Sequence, residues 1–267
     1  MLLGFLFSRN INFIGMIGAI IGDIAGSRFE FNNTDNFDFK LFAASCAYTD
    51  DTICTIAVAD AAMNGKNYGE SLHNWCRRYP APMGSYGCSF ANWIISDNPK
   101  PYNSYGNGSA MRVAAIGWLF NTLEEVQIEA KKSALPTHNH PEGVKGAVAT
   151  ATAIFLARTE GKEAMLEAIK EYYSEWEEPR LGCNRFDETC QGTMPIVFGI
   201  IDKASNFEEA IRYAIAVGGD SDTIGAIVGS IAEAIWGIPE QMYQNALKYL
   251  PNDMVTIVEQ FYSRIKK

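Results

Sequence analysis

Apolar residues recur at helical spacing along nearly the whole 267-residue chain, and no period-two run rich in β-branched residues interrupts them. That pattern restricts the chain to an all-α fold. Helices are expected over 16–26, from Ile53 to a stop at Asn64-Gly65, and over 69–78, 109–120, 123–134, 141–159, 162–176, 189–204, 207–217, 222–236, 240–249 and 252–266. Residues 31–44 read as irregular. So does the Pro-, Gly- and Ser-bearing stretch from Tyr79 to Asn107, around a short segment from Phe90 to Ile95. Two helices carry small-residue faces that admit another backbone: Gly18, Gly22, Ala25 and Gly26 on the first, Gly225 and Gly229 on a later one. With no linker, low-complexity tract or fixed-period repeat, residues 16–267 are expected to form one compact domain. Residues 1–15 read as an extension, with Met16 as a second possible start. Arg9, Asn10 and Asn12 interrupt their apolar run, and they lack the basic beginning of a signal peptide.

Composition narrows the function classes. The formal charge of −9 disfavours a broad nucleic-acid surface, because phosphate tracking needs net positive charge. An anionic ligand remains admissible where metal ions or backbone N–H groups supply the positive field. The 15 Phe, 12 Tyr and 5 Trp exclude intrinsic disorder. Six cysteines without a C-x-x-C pair, and three histidines, speak against zinc. Scattered free thiols in a reducing cytoplasm are the reading adopted, and no apolar run reaches 18 residues.

Two segments echo each other. Thr49-Asp50-Asp51-Thr52 and Asp220-Ser221-Asp222-Thr223 each open an apolar helix, the second after Gly218-Gly219. One acid at a helix start serves as a cap for free N–H groups and meets the positive end of the dipole. Two acids plus a hydroxyl, repeated on two helices expected to be central, invite a different role. If the two starts meet, four carboxylates crowd together, and divalent cations relieve the repulsion. An all-oxygen donor set suits Mg²⁺ or Mn²⁺, and four carboxylates suit two ions.

Five segments in fixed order carry a resemblance: GAIIGDIAGSRFEF at 18–31, YTDDT at 48–52, GNGSAMR at 106–112, THNHPEG at 137–143 and GGDSDT at 218–223. Over Met16 to about Trp236 the chain resembles the ADP-ribosylglycohydrolases, the group that includes the dinitrogenase-reductase-activating glycohydrolase. The GSRFE segment is more similar to small bacterial members than to the arginine-specific animal enzyme. The resemblance implies an all-α orthogonal helical domain with a binuclear Mg²⁺ or Mn²⁺ centre held by Thr49, Asp50, Asp51, Asp220, Asp222 and Thr223. It implies cleavage of the glycosidic bond between ADP-ribose and a modified protein or small molecule.

The same resemblance places Glu30 near the scissile bond as an acid/base group, with Asp50 and Asp51 sharing that work. Read locally, Glu30 is a surface acid between Phe29 and Phe31, whose rings would desolvate it and raise its pKa. The Gly106-Asn107-Gly108-Ser109 turn reads either as a capped turn or as a cradle for ribose and diphosphate. Met111 belongs to that substrate-binding set. His138 is the substrate contact of the THNH segment, His140 is unassigned and His73 is structural or exposed. Arg112 faces either phosphate or an internal ion pair. Tyr86, Phe90, Trp93, Tyr102 and Tyr105 divide between core and adenine pocket. Two rival readings remain: a two-metal phosphoesterase or pyrophosphatase acting on nucleotide diphosphates, and a non-catalytic ADP-ribose-binding member.

Overall fold

A computed structural model describes residues 15–176 and 178–265, and the expectation for residues 1–14 lies outside them. In chain order the helices are α1 (Ile17–Gly26), α2 (Asp50–Asn64), α3 (Tyr68–Arg78), α4 (Cys88–Ile95), α5 (Gly108–Met111), α6 (Ala114–Leu119) and α7 (Leu123–Ala134). They continue as α8 (Pro141–Thr159), α9 (Lys162–Ile169), α10 (Cys190–Lys203), α11 (Phe207–Ala216), α12 (Ser221–Trp236), α13 (Glu240–Leu247) and α14 (Asn252–Ile265). Among the described residues there is no strand, only an isolated bridge between Gly106 and Thr189.

The small-residue faces of α1 and α12 pack on each other. Gly18 meets Gly229, Gly22 meets Gly225, and Gly26 meets Ser221 and Asp222. Rising numbers on one helix meet falling numbers on the other, so the two run antiparallel. The approach is so close that a Cβ on Gly22 would overlap the Gly225 carbonyl. Both helices are buried along nearly their whole length. This register has one consequence for chemistry: the C-terminal end of α1, leading into Glu30, lies beside the N-terminal end of α12.

Local chemistry explains several helix ends. Thr49 caps α2 by accepting the Asp51 N–H, and Gly65 closes it in the left-handed conformation. Thr122 and Glu125 form a reciprocal capping box on α7. His140 caps α8 through Nδ1, which accepts the Glu142 N–H at 3.1 Å; that is the role of the unassigned histidine.

Three expected spans differ from the structure. The helix expected over 109–120 is two helices, α5 and α6, with the chain pivoting at Arg112 and Val113; Thr55 Oγ1 donates to the Met111 carbonyl there, at 3.3 Å. The span 162–176 stops at Ile169, and Tyr173 leaves helical register to pack on Phe198. The segment Phe90 to Ile95 belongs to a helix from Cys88. No described helix is long and apolar enough to cross a membrane, and all six cysteines are free, four of them buried.

Candidate metal centre and substrate site

Three chain segments converge on one acidic cluster: the end of α1, the start of α2 and the start of α12. Oxygen atoms of Glu30, Asp220 and Asp222 lie within 4.8 Å of one another. Thr223 Oγ1 donates to Asp51 Oδ2 at 3.1 Å, which ties the start of α12 to that of α2. Asp51, Asp220, Asp222, Thr49 and Thr223 are buried, and Asp50 and Glu30 are partly exposed. The two helix starts that look alike in sequence therefore do meet, and Glu30 joins them as a third source of carboxylate.

Asp23 escaped the sequence reading. It lies in α1 and is completely buried. Its carboxylate accepts the Thr49 N–H at 3.0 Å, the Thr49 hydroxyl at 2.8 Å and the Thr52 N–H at 3.1 Å, and also a short hydrogen bond from the Thr52 hydroxyl. It thus clamps the first turn of α2 onto α1. The available signal was a lone acid within the apolar run GAIIGDIAG. The start of α12 is held differently. Gly218 and Gly219 both sit at positive φ, +85° and +84°, where a side chain is strained. Asn33 bonds both backbone groups of Gly219, and Asn107 Nδ2 donates to Asp220 Oδ2 at 2.7 Å.

The electrostatics are those of a site short of positive charge. Burial, then Asp23, Asp50 and Asp220, hold the Asp51 carboxyl well above the usual range. Burial, then Asp220 and Asp51, do the same for Asp222. Asp50 is raised by burial, Asp23, Asp220 and Glu30, and Asp220 chiefly by burial. Asp23 rises to about 6 through burial, against its four hydrogen bonds. Glu30 rises to about 7 through burial first, then the charges of Asp220, Asp23 and Glu188.

The donor set fits a divalent cation. Asp51 Oδ1 and Asp222 Oδ1 are buried with no hydrogen-bond partner. Such orphaned carboxylate oxygens are costly unless a cation takes them. All donors are oxygen, the chemistry of Mg²⁺ and Mn²⁺.

The aromatic neighbours of Glu30 differ from expectation. Phe31 is 73% exposed and stacks on Phe186, with ring centroids 5.9 Å apart. The Gly84 backbone, rather than the Phe31 ring, closes over the carboxyl: a Cβ there would strike Glu30.

The Gly106–Ser109 turn is anchored beside the cluster by Asn107, whose N–H donates to the Glu188 carbonyl at 2.7 Å. The Ser109 hydroxyl is committed to the Gly143 carbonyl at 2.6 Å, and the residue is fully buried. Met111 is buried beneath the turn. His138 lies against Gly106 and Gly108. Arg112 is buried and bonds the Ser133 carbonyl and the Thr137 hydroxyl, and among the described residues no carboxylate forms an ion pair with it. Phe90 and Trp93 stack in the core, Tyr86 bonds the Tyr79 carbonyl, and Tyr102 tilts over His138. Tyr105 is 49% exposed beside His140 and is the one of the five most open to a ligand. His73 is structural, bonded to the Ser96 carbonyl.

The chain has counterparts among known proteins. Human ADP-ribosylhydrolase ARH3 is 23% identical, with 90% of each chain covered. An uncharacterized protein of Archaeoglobus fulgidus is 26% identical, with 82% of each covered. Among solved structures, an ADP-ribosylglycohydrolase-related protein complex superposes with a TM-score of 0.72 at 21% identity, covering 94% of this chain and 96% of the other. The profile of the ADP-ribosylglycohydrolase family matches residues 13–267, nearly the full length, and the chain belongs to that family.

Proposed function

We propose that the protein hydrolyses the glycosidic bond between ADP-ribose and a modified protein or small molecule. The carrying observation is the convergence of Glu30, Asp220 and Asp222 within ligand distance, next to the orphaned oxygens of Asp51 and Asp222. Thr49, Asp50, Asp51, Asp220, Asp222 and Thr223 hold two Mg²⁺ or Mn²⁺ ions in this reading. Such ions offset the carboxylate charge and lower the pKa of bound water.

Glu30 is the acid/base group. Before any ion binds, burial and the charges of Asp220, Asp23 and Glu188 raise its carboxyl, and a carboxyl that retains a proton suits protonation of the leaving group. Asp50, whose carboxyl is raised in part by the Glu30 charge, and its sequence neighbour Asp51 share the proton handling. Departure at the anomeric carbon develops positive charge, and the surrounding carboxylates favour that charge electrostatically. The Gly106-Asn107-Gly108-Ser109 turn, Met111 and His138 form the side of the cleft that receives ribose and diphosphate. Backbone N–H groups there supply donors for an anionic ligand without a charged side chain.

The test is a release assay on Arg-, Ser- and nucleic-acid-linked ADP-ribose, with Mg²⁺, with Mn²⁺ and with chelator. Intact ADP-ribose released only with metal is the expected product. Release of AMP or phosphate would point instead to the pyrophosphatase reading, and metal binding without turnover to a non-catalytic binder.

A further inference from the structure

We propose that Arg112 is a positioning residue: through the Thr137 hydroxyl it holds His138 in the neutral form that carries its proton on Nε2, aimed at the Gly106–Gly108 turn. The inference rests on the reading that this turn receives substrate, but its first test needs no substrate.

Arg112 is 1% exposed, and no carboxylate pairs with it among the described residues. A buried guanidinium without an ion-pair partner is costly, so what it does hold matters. Its NH2 group donates to the Ser133 carbonyl at 3.0 Å and to Thr137 Oγ1 at 2.8 Å. Thr137 is fully buried, and its Oγ1 lies 2.7 Å from His138 Nδ1.

The proton accounting has one economical solution. A guanidinium only donates, so Thr137 Oγ1 accepts from Arg112. The Thr137 hydrogen then has His138 Nδ1 as its acceptor. A protonated Nδ1 would present a second donor to Oγ1 and leave the Thr137 hydrogen without an acceptor in a buried site. Nδ1 therefore accepts and Nε2 carries the proton. Burial first, and the Arg112 charge second, hold the His138 pKa well below its ordinary value, which keeps the ring neutral.

Nε2 is left spare. His138 is only 5% exposed, and no protein acceptor takes Nε2–H among the described residues. A Cβ would lie 3.3 Å from Nε2 at Gly108 and 3.6 Å at Gly106. An N–H donor with no protein acceptor among the described residues thus faces the turn, suited to an oxygen acceptor such as a ribose hydroxyl or phosphate oxygen. Arg112 acts on that ligand only through Thr137 and His138.

The experiment is ¹⁵N NMR of histidine-labelled protein, with His138→Gln to assign its signals. The expected wild-type spectrum at neutral pH shows Nε2–H with unprotonated Nδ1; an Nδ1–H form or an imidazolium overturns the proposal. In Thr137→Val the tautomers should mix, and KM and the ADP-ribose dissociation constant should each rise about tenfold with kcat little changed. Thr137→Ser should restore all three. A folded Thr137→Val with unchanged tautomer and affinity overturns the proposal, and if that variant does not fold the wild-type spectrum decides. Wild-type protein that shows the Nε2–H form but binds no ADP-ribose would overturn the function proposed above and leave the relay standing.

Discussion

The starts of α2 and α12 look like copies of one device, yet they are held differently. Thr49-Asp50-Asp51-Thr52 is fixed by a side chain: Asp23 reaches across from α1 and takes four hydrogens from Thr49 and Thr52. Asp220-Ser221-Asp222-Thr223 is fixed by a backbone turn and by neutral side-chain amides: two left-handed glycines turn the chain, Asn33 grips Gly219, and Asn107 holds Asp220. Thr49 caps its helix with its own side chain, whereas Asp220 makes no cap hydrogen bond. Similar motifs therefore report similar chemistry at the site, not similar support beneath it.

The comparison breaks most sharply at the shared function. Asp51→Ala and Asp222→Ala should each lower turnover by more than about a hundredfold, beyond the usual loss from a supporting residue around a metal. Steady-state rates with metal titration would show this, and full activity of either variant under chelation would refute the metal-dependent mechanism.

The two supports should differ in stability and in metal affinity. Asp23→Asn places amide hydrogens against the donors of Thr49 and Thr52, at a cost of about 1–3 kcal/mol, with metal affinity down roughly 10–100-fold. Asn107→Ala should produce the affinity loss with little change in melting, because it removes a contact to Asp220 and leaves the backbone turn intact. Calorimetry of Mn²⁺ binding alongside thermal melts separates the two.

A backbone lesion sharpens the contrast from the other side. Gly219→Ala forces a side chain to φ +84° and brings its Cβ within 2.8 Å of the Arg185 carbonyl. It should cost about 1–2 kcal/mol, read from chemical denaturation, with Asp51 and Thr49 undisturbed.

The gentlest probe is pH. In the absence of metal, Asp23 near 6 and Glu30 near 7 bind protons in the folded state that the unfolded chain has already released. Raised carboxyl pKa values favour the fold at low pH, so stability falls as pH climbs from the ordinary carboxylate range to about 7. Bound divalent ions require the carboxylates deprotonated, so the melting increment from Mg²⁺ or Mn²⁺ should grow over the same window. Melts scanned across it with chelator and with metal check the sign.

Much of the site was legible because its signals are local. Two acids and a hydroxyl at each helix start, two glycines before the second, and Gly106-Asn107-Gly108-Ser109 are readable within a few residues. Asp23 was hidden because an acid inside an apolar helix declares nothing until its partners arrive from 26 and 29 residues away. Glu30 was assigned from resemblance, and the source assumed for its raised pKa was wrong in part: Phe31 is exposed, and Gly84 covers the carboxyl. The broken helix at Arg112 was unreadable for a similar reason, since the residue that leaves helical register is bonded to Ser133 and Thr137 on a later segment.

Helical periodicity, glycine spacing and capping residues, all effects of a few neighbouring side chains, determined the all-α class, several helix ends and the two acidic helix starts. Tertiary structure decided which small-residue face meets which. The antiparallel register of Gly18, Gly22 and Gly26 against Gly229, Gly225 and Ser221 carries Glu30 to Asp220 and Asp222. No local pattern contains that choice, because steric fit between two glycine-lined backbones exists only once both are present. The charge of −9 was visible from the start. Only the packing gathered part of it into one buried cluster where cations become the natural counterweight.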